Sequence, residues 1–373
     1  MSASLAAAPP GDGHVVTDAA VVGRILREYR LGPASVRRYH GSVSGTEVGY
    51  RMRQPDGDVV LVRAYRCDVL LAPYLRGCGT ESITDWLQGR AATLDWLAAQ
   101  GYPAPRVVAT REGDPIGVAG AWLTWATTYI PGLALLPGGG GFELLGEALG
   151  RLHALGPAAG VGLASWHPTA AVPAALARLD AVAPMLPGEW RPLHAQFRRT
   201  LLAIREAAPS LPVAIVHCDA WPGSAVVTGD GEVTLIGWEY GGVGLPVLDL
   251  GQCLLECHFD PGLPPGQPGA WHIEPDPGRI GAVLDGYTRW RQVHDAEREI
   301  LPEGIRFATA YVGAIHFERA LIDGVRGPTM DARLGRLRNR VAVSQAVADL
   351  AAQHLGSPRS RYAEPGRSDV TGA

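Results

Sequence analysis

Residues 213–239, VAIVHCDAWPGSAVVTGDGEVTLIGWE, hold the side chains best suited to chemistry. An apolar run reads as a strand leading into His217, Cys218 and Asp219. Pro222 and Gly223 mark a short turn, and AVV and VTLI read as strands joined by the hairpin TGDGE. That hairpin brings Gly237 and Glu239 back to the end where Asp219 and Ser224 stand. His217, Asp219, Ser224, Gly237 and Glu239 are therefore expected near one another. An aspartate at the mouth of a strand-turn, facing a cleft, suits proton transfer to or from a hydroxyl, with His217 or Glu239 as its partner.

These groups need a scaffold, and the rest of the chain predicts one of class α+β with two lobes. GSVSGTEVGYRMRQ, the turn PDGD and VVLVRAY read as a hairpin whose second strand carries Arg63. Ile83, Trp86, Leu87, Leu94 and Leu97 recur at helical spacing over 82–99, and Gly101 and Pro103 end that helix before a strand in GYPAPRVV. A hinge is expected around Ala126 to Pro131, followed by the flexible crossing segment PGLALLPGGGG and the amphipathic helix FELLGEALGRLHAL. The predicted organisation is a disordered tail over 1–15, a β-rich N-lobe with one helix over 16–126, a hinge and linker over 127–141, a helical C-lobe over 142–355, and a second disordered tail over 356–373.

The matching strings HCDAWPGS (217–224) and IGWEY (236–240) resemble the aminoglycoside phosphotransferase and choline kinase family, whose members carry H-G-D-x-x-x-x-N and, after a hairpin, I-D-[WF]-E. GYPAPRVV, TTYIPG (127–132), LGRLHAL (149–155) and GVGLPVLDLG (242–251) extend the likeness over roughly residues 35–320. The resemblance implies a protein-kinase-like fold with a β-rich N-lobe and a mainly helical C-lobe. It implies Asp219 as catalytic base, Asp249 as the buried carboxylate bracing the catalytic loop, and Arg63 as the strand cation that meets phosphate. Magnesium ions would neutralise the transferred phosphoryl group in such a site.

The departures from that pattern weigh against the reaction. Ser224 replaces the metal-binding Asn, Gly237 replaces the metal-bridging Asp, and Leu245 replaces the Asp of G-D-P. The first-lobe helix Glu aligns best with Arg90, so Arg63 and Arg90 are expected to repel unless Glu81, Asp85 or a ligand anion lies between them. Metal would rest on ATP and a hydroxyl, with Glu239 as a possible substitute ligand. The leading expectation is accordingly a kinase-fold protein with a degenerate magnesium–ATP site, repurposed to acid–base chemistry on a small metabolite through Asp219. One alternative is an active ATP-dependent O-phosphotransferase, for which ATP and magnesium are cofactors. The other is a non-catalytic small-molecule-binding pseudokinase. Arg63, Arg90 and Ser224 form the expected cofactor side. Trp221 and, on the Pro/Gly-rich stretch 259–278, Trp271, His272 and Glu274 are the expected substrate contacts.

Other features have plainer readings. His217 is expected to hydrogen-bond near the catalytic loop, Ser224 to cap it, and His153 to be a satisfied helix histidine. Cys253, Cys257 and His258 lack a second pair to complete a zinc set. Residues 138–141, GGGG, lack the G-K-[ST] ending of a phosphate loop and read as linker. Arg333, Arg336, Arg338 and Arg340 share a helix and read as a solvated face. Every one of the 33 basic side chains is arginine, so any phosphate contact must be made by arginine. A net charge of −4 gives no reason to expect a nucleic-acid partner. No 18-residue apolar stretch is free of charges and breakers, and the first residues lack a basic n-region, so no membrane partner and a cytoplasmic setting are expected. Glu256, Asp260, Glu274, Asp276 and Asp285 could receive an amine, but the sequence neither groups them nor speaks to oligomeric state.

Overall fold

The computed structural model describes residues 15–32, 35–41, 47–66, 82–135, 141–258, 274–325 and 327–356. Trp271, His272, Glu81, Cys67, Cys78 and most of both expected tails lie outside these residues.

The N-lobe opens with a helix α1 (Val15–Glu28), an element the strand pattern after Ser35 does not announce. Strands β1 (Ser35–Gly41), β2 (Glu47–Arg53) and β3 (Val59–Arg66) follow, then helix α2 (Ile83–Ala99), β4 (Ile116–Val118) and β5 (Trp122–Thr128). They form one antiparallel sheet in the order β1-β2-β3-β5-β4. Alternation decides its two faces. Val48, Tyr50, Met52, Val60, Val62, Ala64 and Ala126 pack under α1 against Val21, Ile25 and Tyr29. On the other face Tyr65 and Trp125 join Trp86 and Leu87 of α2 and the core of the C-lobe. Arg63 lies directly opposite Trp125 in the register, so it belongs to this second face, turned toward the C-lobe. α2 begins where Ser82 accepts the Asp85 N–H at 3.1 Å, an N-cap that satisfies one of the helix's free donors. GYPAPRVV, expected as a strand, is extended chain making one bridge, Val107 to Thr127, because Gly101 and two prolines interrupt a ladder there.

The expected hinge begins later than its sequence suggested. Ala126 is fully buried within β5, and the chain crosses after Thr128; β6 (Leu133–Ala134) already pairs with the C-lobe. The C-lobe comprises α3 (Gly141–Ala154), α4 (Pro168–Val182), α5 (Arg191–Ala207), β7 (Ala214–Val216), β8 (Ala225–Val227), β9 (Val233–Leu235), β10 (Gly242–Gly244), α6 (Pro246–Glu256), α7 (Pro277–Thr288), α8 (Asp295–Leu321) and α9 (Pro328–Gly356). The predicted hairpin is β8–β9, with Ala225 opposite Leu235, and β6 extends it to three strands. β7 pairs instead with β10, a short strand inside GVGLPVLDLG that fixes where α6 starts. α6 lies hard against α8: a Cβ on Gly251 would run into the backbone of Gly304. This close approach seats α6, with Asp249 on its first turn, beneath the end of β7. No helix of the described residues is long and apolar enough to cross a membrane.

Candidate active site

The catalytic loop leaves β7 with a backbone that few side chains accept. Cys218 sits at φ +63°, in the left-handed region where a Cβ is crowded. Asp249 compensates: one carboxylate oxygen accepts the His217 N–H at 2.6 Å and the other the Cys218 N–H at 3.0 Å. His153 Nε2 faces the same carboxylate at 3.1 Å, and its Nδ1 faces the Tyr287 hydroxyl at 2.9 Å. Arg291 donates to the Tyr287 oxygen at 2.9 Å and pairs with Glu297 at 2.9 Å. Burial lowers the His153 pKa, so the ring is neutral, Nε2–H donates to Asp249 and Nδ1 accepts from Tyr287. Helices α3, α6, α7 and α8 are thus tied to one turn of chain. The expected helix histidine is satisfied as read, and it is a link in this brace.

Asp219 follows one residue later and is treated differently. Its side chain is buried, and its hydrogen bond is a long one of 3.5 Å from Gln252 Nε2. Burial, then the neighbouring carboxylates of Glu256, Glu239 and Asp249, push its pKa up to about 7. A base poised near neutrality suits removal of a hydroxyl proton. Ser224 closes the loop: its hydroxyl donates to the Asp219 carbonyl and accepts the Trp221 N–H at 3.2 Å. The oxygen expected as a metal ligand is spent on this cap. Trp221 is half-buried, and its ring lies over Gly223, where a Cβ would collide with it. His217 is fully buried, its Nε2 faces the Ile236 carbonyl at 3.0 Å, and its ring meets the Trp238 ring edge-on at 4.6 Å. Burial lowers its pKa too. These contacts join the loop to the hairpin.

Across the cleft, Arg63 reaches from β3 to Glu239, Nε to carboxylate at 2.6 Å, and to Glu47 of β2 at 3.0 Å. The other oxygen of Glu239 lies 3.5 Å from where a Cβ on Gly237 would stand. Gly237 itself sits at φ +82°, a conformation glycine adopts freely. Position 239 therefore brings a carboxylate close to the position where 237 has no side chain. This donor set fits magnesium in the limited sense that the ion needs one or two carboxylates and takes its remaining ligands from phosphate and water.

Arg90 corrects the expectation most clearly. It is buried and donates to the Gly241 carbonyl and, at 2.5 Å, to the Leu163 carbonyl. It is a clamp between α2 and the C-lobe backbone. Glu274 is exposed in the segment ahead of α7. Cys253 and Cys257 are free buried thiols, and burial raises the pKa of both. The arginines of α9 do not form one solvated face: Arg340 makes a buried ion pair with Glu256 at 2.8 Å, and Arg338 stacks over Trp190 at 4.1 Å.

Gln252, Glu47 and the Tyr287 and Arg291 partners of His153 were not singled out from sequence. Gln252 had one available signal, its position one helical turn after Asp249, which puts both on the same side of α6.

A β-rich lobe and a helical lobe that close on a braced aspartate and a strand arginine define the protein-kinase-like fold of small-molecule kinases. The chain belongs to the phosphotransferase enzyme family, whose model matches residues 87–296. Among curated proteins it is 27% identical over 305 residues to a homoserine kinase of Acidiphilium cryptum, covering 77% of this chain and 82% of that protein. It is likewise 27% identical over 313 residues to a homoserine kinase of Azorhizobium caulinodans, covering 79% and 84%. Similar solved structures include an amicoumacin kinase in complex with AMP-PNP, calcium ion and Ami, at TM-score 0.59, 14% identity and coverage of 90% and 96%. A choline/ethanolamine kinase family protein from Mesorhizobium loti follows at TM-score 0.54, 19% identity and coverage of 92% and 100%. At such identities the solved structures speak to fold alone.

Proposed function

We propose that the protein is an ATP-dependent O-phosphotransferase acting on a hydroxyl of a small molecule, with L-homoserine the first substrate to try. The observation that carries this reading is the carboxylate of Glu239 standing over Gly237 and held there by Arg63. Repurposing away from phosphoryl transfer was expected from Ser224 in place of Asn, Gly237 in place of Asp, Leu245 in place of Asp, and Arg90 in place of Glu. Against the missing carboxylate stands Glu239 beside Gly237, and against the repulsion stands the engagement of Arg90 by two backbone carbonyls. Membership of the phosphotransferase family and the homoserine kinase relatives support the same reading.

In this mechanism Asp219 accepts the proton of the substrate hydroxyl as the oxygen bonds to the γ-phosphorus and the bond to the departing ADP oxygen breaks. Its pKa of about 7 makes it competent as a base from neutral pH upward. Asp249 and Cys218 fix the loop so that this carboxylate does not move during the transfer. Arg63 meets the phosphates from the N-lobe side. Magnesium bound with ATP would supply charge neutralisation, and Glu239 is the residue that would hold it. Among the described residues, the buried free thiols of Cys218, Cys253 and Cys257 fit a reducing, cytoplasmic setting.

The test is ADP release coupled to a phosphate ester seen by phosphorus NMR, with L-homoserine first and small amino alcohols next. Product formation that needs both magnesium and ATP is expected. Absence of product across the panel, together with no thermal stabilisation by millimolar magnesium–ATP, would overturn the assignment.

A further inference from the structure

The N-lobe sheet carries positive charge that the site at Asp219 does not use. Alternation puts Gly49, Arg51 and Arg53 of β2 on the face opposite Tyr50 and Met52, and Gly49 lies across from Arg63 in the register. Ser35 and Arg37 of β1 stand across from Arg53 and Arg51, so the same face continues onto β1. Toward β5 this face is covered, with Tyr65 and Trp125 packed into the core shared with the C-lobe. On β1 and β2 it is open: Ser35, Arg37, Arg51 and Arg53 line a cavity of about 260 Å³. Arg37 and Arg53 are exposed and Arg51 is half-buried, so a ligand has access to all three guanidinium groups.

The local charges specify the occupant. Arg37 and Arg51 are direct cross-strand neighbours on one face, and like charges so placed weaken strand pairing. Among the described residues, no carboxylate forms an ion pair with Arg37, Arg51 or Arg53. Asp56, in the turn after β2, accepts the Asp58 N–H at 3.1 Å instead. The Arg51 guanidinium lies over the Tyr129 ring at 4.3 Å, a contact that holds it in place without neutralising it. Tyr129 is in turn fixed by its N–H, which donates to the Val59 carbonyl at 3.0 Å. An anion in the cavity relieves the repulsion, and one with several oxygens matches the fork of each guanidinium. Arg63 is a poor rival for a metal-free anion, because Glu239 and Glu47 already flank it.

We propose that Ser35, Arg37, Arg51 and Arg53 form a second anion site, which takes a multiply charged phosphate outside the centre built on Asp219, Glu239 and Arg63. The site stands whether or not the chain transfers phosphate from ATP. Its phosphate comes either free in solution or on the ribose of a nucleotide, and the chemistry of recognition is the same.

The experiment is calorimetry of the full chain with inorganic pyrophosphate in the absence of magnesium. It compares the wild type, the double variant Arg37→Gln/Arg53→Gln, and Arg63→Gln. The wild type is expected to bind one pyrophosphate per chain, with an affinity that falls as sodium chloride is added. The double variant should weaken binding about tenfold or more, since it removes two charge-assisted donors. Arg63→Gln should leave it within about twofold, because its charge lies outside the cavity and is screened. Thermal unfolding reads the same site independently. Without ligand the double variant should melt no lower than the wild type, as opposed like charges have been removed. With pyrophosphate, only the wild type and Arg63→Gln should gain stability. Adenosine 3′,5′-bisphosphate and AMP separate the two sources. A ribose-borne phosphate shows as a preference of about tenfold for the bisphosphate that the double variant loses. A free phosphate shows as pyrophosphate binding that saturating AMP leaves undiminished. No binding of millimolar pyrophosphate by the wild type, equal binding by the double variant, or loss of binding in Arg63→Gln overturns the proposal.

Discussion

Asp249 and Asp219 meet at one catalytic loop, yet the protein treats the two carboxylates in opposite ways. Asp249 takes two backbone N–H groups and His153, with Tyr287, Arg291 and Glu297 behind it. Asp219 takes one long bond from Gln252 and is otherwise surrounded by burial and like charge. A carboxylate whose acceptor sites are filled holds structure, because its loss strands every donor it served. A carboxylate left short of donors raises the energy of its own charged form, which is what a base needs if it is to take a proton. The saturated group fixes the loop, and the unsaturated one is what the loop presents.

Stability measurements can break that contrast. Asp249→Ala strands two N–H groups and His153, and should cost roughly 3–5 kcal/mol in urea unfolding, as when one partner of a buried charged set is removed. Asp219→Asn should do the opposite. The Asp219 pKa is raised from 3.8 to about 7 on folding, so the folded state binds the extra proton between those values. Wild-type stability therefore falls as pH rises from about 4 to about 7, and the penalty is complete above that. The Asn variant escapes it, with a gain of roughly 2–4 kcal/mol at pH 8 that fades to nothing near pH 4. If Asp219→Asn were as damaging as Asp249→Ala, the distinction would fail.

Two smaller effects sharpen the cofactor side. Arg63→Gln and Glu239→Gln should each raise the KM for ATP about tenfold, and the double variant should show coupling of about 1 kcal/mol rather than additive losses. Independent effects would mean that the pair does not act as a unit. Ser224→Ala should cost only about 1 kcal/mol of stability and leave the magnesium requirement unchanged, because its hydroxyl serves the loop. A higher magnesium requirement would restore Ser224 as a ligand.

The reach of the sequence can be followed through the same residues. The β8–β9 hairpin, the turn that presents Asp219 and the strand position of Arg63 were legible from local turn chemistry and period-2 alternation, whereas Asp249 was implied by the family resemblance alone. Arg90 was not, since helical spacing places it on α2 without saying which neighbour that side of the helix meets; Gly241 and Leu163, far along the chain, decide that. Glu239 was legible as a substitute ligand only in outline. Its carboxylate oxygen stands 3.5 Å from where a Cβ on Gly237, at φ +82°, would lie, a proximity that spacing alone does not give. Gln252 escaped notice because a lone glutamine on a helix carries no signal until the loop it faces is known.

The central claim is that Asp219 serves phosphoryl transfer, and a single-turnover experiment with γ-labelled ATP, magnesium and L-homoserine addresses it most directly. The wild type should pass label to the alcohol. Asp219→Asn should bind magnesium–ATP with unchanged affinity and transfer label about 10²–10⁴-fold more slowly, the range for loss of a general base. Transfer by Asp219→Asn at a rate close to the wild type's would contradict the account.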